Sequence, residues 1–371
     1  MSDDAIVFAE LPAKTGKVGR VTLNVPGTLN SLTLDMVDLL QNQLDRWAED
    51  DAVAAVFIEG SGEKAFCAGG DVQALYRSAI ATPGGPCEYA EAFFTREYRM
   101  NYTLHTYPKP IVCWGNGIVM GGGLGVMAGC SHRVVTESTR IAMPEITIAL
   151  FPDVGGSWFL NHMPGRSGEF LALTGASINA ADALYTGLAD RFIASEHRDA
   201  VLKGLQAQQW LADDALANHG LVRHVLRPFA EQSLSSLPGG QVEPHMGRIG
   251  SLCDGDSVHE IIDNILAQHT DDPWLAKARD SLAHGSKLAA LWIHRQLRET
   301  RHSSLREVFQ AEILLATNVV RHPEFAEGVR ALLIDKDRKP AWQFQRSRDV
   351  PQDLLDAFFT PPWPENPLAD L

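Results

Sequence analysis

The sequence predicts an α/β protein with a helical C-terminal region, and three observations carry that reading. Short apolar stretches of strand character alternate with helical stretches over the first half of the chain. Glycine-rich turns follow several of those strands. From about residue 165 the strand signal gives way to helical periodicity. Strands separated by helices imply βα crossovers, which place functional sites at the carboxyl ends of the strands.

The first predicted strand is KVGRVTLNV, residues 17–25, where Val18, Val21, Leu23 and Val25 alternate loosely with polar residues. The turn residues PGTLNSLT end it, and Ser31 or Thr33 is placed to cap a helix. In that helix Val37, Leu40, Leu44 and Trp47 recur at intervals of three and four, an amphipathic stripe. AAVFIEG, residues 54–60, reads as a short buried strand ending at glycine. A helical stretch over 88–106 precedes a strand at 110–117, and HRVVTE at 132–137 is a further strand. Beyond these, helices are predicted over 167–174, 180–186, 198–226, 258–268, 286–300 and 304–320. The stretch SSLPGGQVEP, residues 235–244, reads as a linker. The tail TPPWPENPLADL is too rich in proline for regular structure.

Composition narrows the class. With 371 residues the chain is long enough for a large core, and 45% hydrophobic against 21% charged residues is a globular balance. A formal charge of -14 argues against a nucleic-acid binder, which would present a clustered basic face. The five cysteines (Cys67, Cys87, Cys113, Cys130 and Cys253) are odd in number, scattered and without a CxxC pair. They support neither a disulfide framework nor a zinc knuckle. The N-terminus MSDDAIVFAE is acidic without an apolar run, and no apolar stretch reaches the ~18 residues of a membrane span. These observations place the protein in the cytosol as an expectation.

Three motifs carry chemistry. AFCAGGD, residues 65–71, puts small residues after a strand, and Gly70 is free to adopt angles that aim its amide into a pocket; an ordinary glycine turn is the alternative. GNGIVMGGGLGVMAGC, residues 115–130, opens a helix with glycines at 121, 122 and 123. Free amides at a helix start favour negative charge. A dinucleotide fingerprint fails because Val126 stands where glycine is required, and no GK[ST] follows. The alternative is glycine used for close helix packing. Two glycine turns that each offer one amide suggest an oxyanion hole, which suits thioester chemistry.

The third motif, MPEITIALFPDVGG at 143–156, sets Glu145 and Asp153 among apolar residues with no other charge in the run. An ionised carboxylate is costly to bury unless something pairs with it. Asp153 either caps the helix that begins near Gly155 or serves a pocket, whereas Glu145 has no cation near it in sequence. Glu97, in FFTREYRMNY with Arg96 and Arg99 beside it, reads from sequence alone as a solvated ion-pair face. The thirteen histidines show no metal-ligand spacing such as HExxH, so no metal is expected.

KAFCAGGD, GIVMGGGLG, AMPE and LFPDVGGSWFL resemble, in order and spacing, the enoyl-CoA hydratase/isomerase (crotonase) superfamily over about residues 15–195. FPDVGG, with PHMGRIGSL, SLREVFQAEILLA and EFAEGVRALLIDKDRKPAW, is similar to its 3-hydroxyisobutyryl-CoA hydrolase branch. The resemblance implies a crotonase-like ββα superhelix with a C-terminal helical region. The expected domains are a core over 1–195, a helical region over 196–360 and a tail over 361–371.

What the resemblance implies for the site follows residue by residue. Gly70 and Gly122 match the two oxyanion-hole amides, Glu145 the catalytic glutamate, Asp153 the branch's catalytic aspartate and Glu97 a glutamate of the substrate pocket. Glu145, Asp153, Glu97 and Gly122 are thereby expected to bind substrate. Gly125 stands where a hydratase carries its first catalytic glutamate, which disfavours alkene hydration. The implied reaction is hydrolysis of the 3-hydroxyisobutyryl-CoA thioester, in valine breakdown. The alternatives are a hydratase or isomerase on a related acyl-CoA and a non-catalytic protein on the same scaffold. No cofactor is expected, because coenzyme A is part of the substrate. The expected partner is the acyl-CoA, with no nucleic acid and no membrane; a homo-oligomer is compatible with the sequence. Lys64, beside the first glycine loop, is a candidate for the CoA phosphates.

Overall fold

The computed structural model describes residues 4–212 and 214–371. The first three residues of the acidic N-terminal stretch, and Asp213 within the helix expected over 198–226, lie outside the described residues.

The chain opens with a hairpin of β1 (Ile6–Pro12) and β2 (Lys17–Leu23), antiparallel with Ile6 opposite Leu23. Helix α1 (Leu34–Glu49) follows, capped by Thr33, whose hydroxyl accepts from the Met36 amide at 3.2 Å. Its buried stripe is the expected one, with Met36 added. Strands then come in pairs: β3 (Val53–Gly60) with β4 (Ala65–Cys67), β5 (Ile111–Gly115) with β6 (Ile118–Met120), and β7 (His132–Val135) with β8 (Arg140–Ala142). Helices α2 (Val72–Ala81) and α3 (Glu88–His105) separate the first pair from the second, and α4 (Gly122–Gly129) separates the second from the third. After α5 (Gly156–Asn161), α6 (Ser167–Thr174) and α7 (Ala180–Tyr185) comes β9 (Arg191–Phe192).

One strand of each pair enters a six-stranded sheet of order β1-β2-β3-β5-β7-β9, and the other enters a three-stranded sheet of order β4-β6-β8. From β2 to β9 the larger sheet is parallel. This is the ββα superhelix that the resemblance implies. β3 is buried along its whole length, as a parallel strand covered on both faces must be. The short strands β4, β6, β8 and β9 carry two or three residues each and leave no periodicity to read. β1 escapes for another reason: it is an edge strand in which only Ile6 is buried.

Packing divides the chain into two compact units. The first comprises Met1–Gly70, Met100–Ile141 and Ile178–Gly240. Its core lies between the large sheet and helices α8 (Arg198–Gln206) and α9 (Ala215–Ser233), where Val18, Phe57, Val112 and Trp114 meet Val201, Leu205, Val222 and Leu226. Each such side chain contributes about 1.5–3 kcal/mol on leaving water. The single helix expected over 198–226 is thus two. Asp214 caps α9 by accepting from the Ala217 amide at 2.8 Å, and Asn218 ties both backbone groups of Leu211. Local side-chain bonds here outcompete helix continuation.

The second unit comprises Asp71–Arg99, Ala142–Ser177 and Gln241–Leu371. The boundary expected at residue 195 falls inside the first unit, which runs on to Gly240. Helices α10 (Val242–Leu252), α11 (Val258–Ala267), α12 (Pro273–His284), α13 (Lys287–Glu299), α14 (Leu305–Arg321), α15 (Pro323–Val329) and α16 (Gln352–Ala357) all belong to the second unit. The expected linker is shorter than its ten residues, because α10 begins at Val242. The proline-rich tail has neither helix nor strand, yet it docks: Leu368 is buried, Asn366 donates to the Gln310 carbonyl at 2.9 Å, and Arg99 grips Asp370.

Candidate active site

In the second unit the segment 143–157 is held by its apolar residues. Ile146, Ile148, Leu150, Phe151 and Val154 are buried. The Trp292 indole donates to the Leu150 carbonyl at 3.1 Å, and the Ser286 amide donates to that of Ile146 at 3.2 Å. A 3-10 turn over Glu145–Ile148 starts after Pro144 and ends at Ala149, with φ of 51°. These anchors carry Glu145 (5% exposed) and Asp153 (3% exposed) into the interior.

The turn after Asp153 is strained. Val154 has φ of 54°, where a β-branched side chain is sterically opposed, and Gly155 has φ of 83°. Such a residue costs of the order of 1–3 kcal/mol and persists only when its surroundings hold it. Immediately beyond it the backbone is tied to Glu312 of α14, whose carboxyl accepts from the amides of Gly155 at 2.7 Å and Ser157 at 2.8 Å. Asp153 is therefore not the cap of α5: the helix has no capping side chain at its N-cap Gly155, and Asp153 offers only its backbone carbonyl, to Gly156. The Asp153 carboxylate accepts instead from the Tyr98 hydroxyl at 2.7 Å.

Glu97, next to Tyr98 on α3, is 2% exposed and not on a solvated ion-pair face. Arg99 turns outward to Asp370. One oxygen each of Glu97 and Glu145 is buried without a hydrogen-bond partner among the described residues. The structure thus gathers Glu97, Glu145 and Asp153, which sequence reasoning had singled out, and adds Tyr98 and Glu312, which it had missed. Glu312 left one signal: a lone acid in the apolar run of QAEILLA.

The electrostatics follow from burial without a cation. Burial, and then repulsion from Asp153, holds the carboxyls of Glu97 and Glu145 well above the usual range. Burial lifts Asp153 to about 6, opposed by the Tyr98 hydrogen bond. Burial likewise lifts Glu312 to about 8 against the pull of its two amides. Buried Glu59 of the first unit shows the other solution: Arg20 bonds it at 2.7 Å and Arg198 lies at 3.6 Å. Acids kept partly neutral beside one another are suited to acid, base or nucleophilic work.

The first unit holds both glycine loops. Gly70 follows β4, but the left-handed angle belongs to its neighbour Gly69, at φ of 114°, whose carbonyl accepts from the Leu32 amide at 2.8 Å. Gly122 is the first residue of α4, where amides lack intrahelical acceptors; the helix first closes back on Gly121 from Leu124 and Gly125. The loops touch. A Cβ on Gly123 would stand 2.2 Å from the Cys67 carbonyl oxygen, and one on Gly69 would stand 3.7 Å from the Gly122 amide nitrogen. Lys64 lines a cavity of about 410 Å³ beside the first loop, together with Pro26, Leu29, Asn30, Ser61 and Glu63. That volume is in the range of small-molecule pockets. Among the described residues no helix is long and apolar enough to cross a membrane.

The enoyl-CoA hydratase/isomerase family matches residues 18–359. The chain is 38% identical over 348 residues to the mitochondrial 3-hydroxyisobutyryl-CoA hydrolase of Danio rerio, covering 94% of this chain and 88% of that protein. It is 35% identical over 347 residues to the Homo sapiens protein of the same name, covering 93% and 87%. Among solved structures, a carnitinyl-CoA dehydratase from Mycobacterium thermoresistibile is similar with a TM-score of 0.86 at 33% identity, over 100% of both chains. An enoyl-CoA hydratase from Rhodobacter sphaeroides reaches 0.81 at 32% identity, over 95% of this chain and 97% of that one. The relatives' names overturn the cytosolic placement, since they are mitochondrial proteins. Scattered cysteines and an N-terminus without an apolar run do not identify a compartment.

Proposed function

Because this chain belongs to the enoyl-CoA hydratase/isomerase family, we propose that it hydrolyses 3-hydroxyisobutyryl-CoA, the substrate in its curated relatives' names, to the free acid and CoA. We place the reaction in valine breakdown. The observation that carries the reading is Glu145, buried beside Asp153 with one oxygen unpartnered, in a chain with glycine at 125. With glycine at 125, Glu145 has no second glutamate at the position where a hydratase carries its other water-handling acid.

In this reading the amides of Gly70 and Gly122 are the donors to the thioester oxygen as it gains charge. Losing one such donor raises a barrier by ~3 kcal/mol. Glu145 attacks the carbonyl to form a mixed anhydride, or takes a proton from the water that attacks. In the first route the C–S bond breaks as the Glu145–acyl bond forms, and water then cleaves the anhydride to free the acid and Glu145; in the second, hydroxide adds to the acyl carbon and the C–S bond breaks. The thiolate leaves with a pKa near ~8.5 and needs no strong general acid. Asp153 accepts from the 3-hydroxyl of the substrate, and Glu97 borders the acyl chain.

Charge ordering supports these roles. Asp153 ionises at about 6, and its charge resists ionisation of Glu145. A substrate hydroxyl donated to Asp153 disperses that charge and makes Glu145 easier to ionise. The hydroxylated substrate therefore helps prepare the group that attacks it. No cofactor or metal enters this scheme. The test is thiol release from 3-hydroxyisobutyryl-CoA, isobutyryl-CoA and crotonyl-CoA, with hydration of crotonyl-CoA followed in parallel. Fastest thiol release from the first substrate is expected, and hydration outpacing hydrolysis would overturn the reading.

A further inference from the structure

One buried carboxyl of the second unit has no part in the chemistry above. Glu312 is 0% exposed, on a helix whose neighbouring Val308, Phe309, Ile313 and Leu315 are buried and apolar. An apolar side chain of similar size would fill that place without the penalty of a buried acid. Helix α5, which it caps, is only six residues long. Cap energy alone is therefore a weak reason to retain it.

The geometry gives a better one. The amides that Glu312 accepts from, Gly155 at 2.7 Å and Ser157 at 2.8 Å, lie immediately beyond the residue that must stay at φ of 54°, Val154. If Val154 relaxed to negative φ, the peptide joining it to Asp153 would rotate, and the aspartate would swing away from the Tyr98 hydroxyl. Tyr98 holds the Asp153 side chain from α3, and Glu312 holds its backbone from α14. We propose that Glu312 is a positioning residue: it locks the strained turn so that the Asp153 carboxylate is aimed at the 3-hydroxyl of the substrate. This rests on the reading of Asp153 as the acceptor of that hydroxyl. It also gives α14, some 150 residues downstream, a direct part in substrate choice.

The experiment compares wild type, Glu312→Gln, Asp153→Asn and the double variant on 3-hydroxyisobutyryl-CoA and isobutyryl-CoA, with Tm from the same preparations. In Glu312→Gln an NH₂ replaces one acceptor, so one of the two amides loses its bond. Positioning predicts a loss in kcat of at least ~10-fold on the hydroxylated substrate, as small misplacements of reacting groups produce, and a much smaller loss on isobutyryl-CoA. It also predicts that Glu312→Gln adds no further loss to Asp153→Asn, because a residue that acts through another has nothing left to position. Equal losses on the two substrates, or a full additional loss in the double variant, would overturn the proposal and leave Glu312 as a structural cap. Wild-type turnover in Asp153→Asn would instead remove the reading of Asp153 on which it rests. If Glu312→Gln does not fold, Glu312→Asp, which retracts the carboxyl by one methylene, carries the same comparison.

Discussion

The Tyr98 hydroxyl donates to Asp153 Oδ2 over 2.7 Å, with both side chains buried. The bond favours the charged form of Asp153 and works against burial, which leaves this acid at about 6. Glu97 and Glu145, each with a buried oxygen that has no hydrogen-bond partner among the described residues, stay neutral to higher pH. The Tyr98 bond, together with a backbone hydrogen bond to the carboxylate, thus favours Asp153 as the acid that ionises first.

Tyr98→Phe should raise the pKa of Asp153, because it removes a donor that favours the carboxylate. Glu145 ionises later and sets the acid limb of turnover itself. The effect is therefore read in the ratio of kcat/KM for 3-hydroxyisobutyryl-CoA to that for isobutyryl-CoA. The acid limb of that preference, governed by the charge of Asp153, should move to higher pH. The loss of preference would be greater at pH 6 than at pH 8. An unshifted limb would show that this bond does not govern the charge of Asp153.

Asp153→Asn should shrink the preference for 3-hydroxyisobutyryl-CoA over isobutyryl-CoA by about one to two orders of magnitude, the worth of a hydrogen bond to a charged group. Its stability effect has a definite sign. Asp153 has a folded pKa of about 6 against 3.8 ordinarily, so its stabilising share is full below 3.8 and lost as pH rises through 6. Asparagine cannot ionise and escapes that loss. The Tm of the variant at pH 8 should match or exceed that of wild type, with the gap closing below pH 4. A drop of ~1 kcal/mol at every pH would instead be the signature of a lost helix cap.

Glu145→Gln should fold, because it removes a charge that burial already opposes, yet lose at least ~100-fold in turnover. An amide is neither nucleophile nor base. Circular dichroism with thiol-release rates reads both, and near-normal release would sink the assignment.

Two neighbouring glycines should fail differently. Gly122→Pro removes an amide at the first helical position, where proline is tolerated, so turnover should fall more than Tm or CoA affinity. Gly123→Ala drives a methyl to 2.2 Å from the Cys67 carbonyl and should cost roughly 1–3 kcal/mol through displaced backbone. If both lost only stability, the loops would be packing devices.

Much of this molecule was legible in its residues. The stripe of Val37, Leu40, Leu44 and Trp47 with a threonine cap, the glycine turns after strands, and two acids in an uncharged run are local patterns, and local energetics enforce them. The fate of Glu97 was not legible. Arg96 and Arg99 adjoin it in sequence, but residues one and two apart on a helix do not face each other, and the buried side of α3 depends on what packs against it. The break at Asp214 was hidden because helix propensity there is outbid by side-chain bonds to the backbone.

The sequence by itself singled out the residues to which we assign chemistry; only the tertiary structure decided how they are held and charged. Nothing local distinguishes an aspartate that caps a helix from one that meets a substrate. Here the helix-cap role is taken from Asp153 by the bonds of Tyr98 and Glu312, which lie 55 residues before it and more than 150 after it. Charge states followed the same rule, because the shift of a carboxyl depends on the water excluded and the neighbours gathered around it, and both are properties of the folded chain.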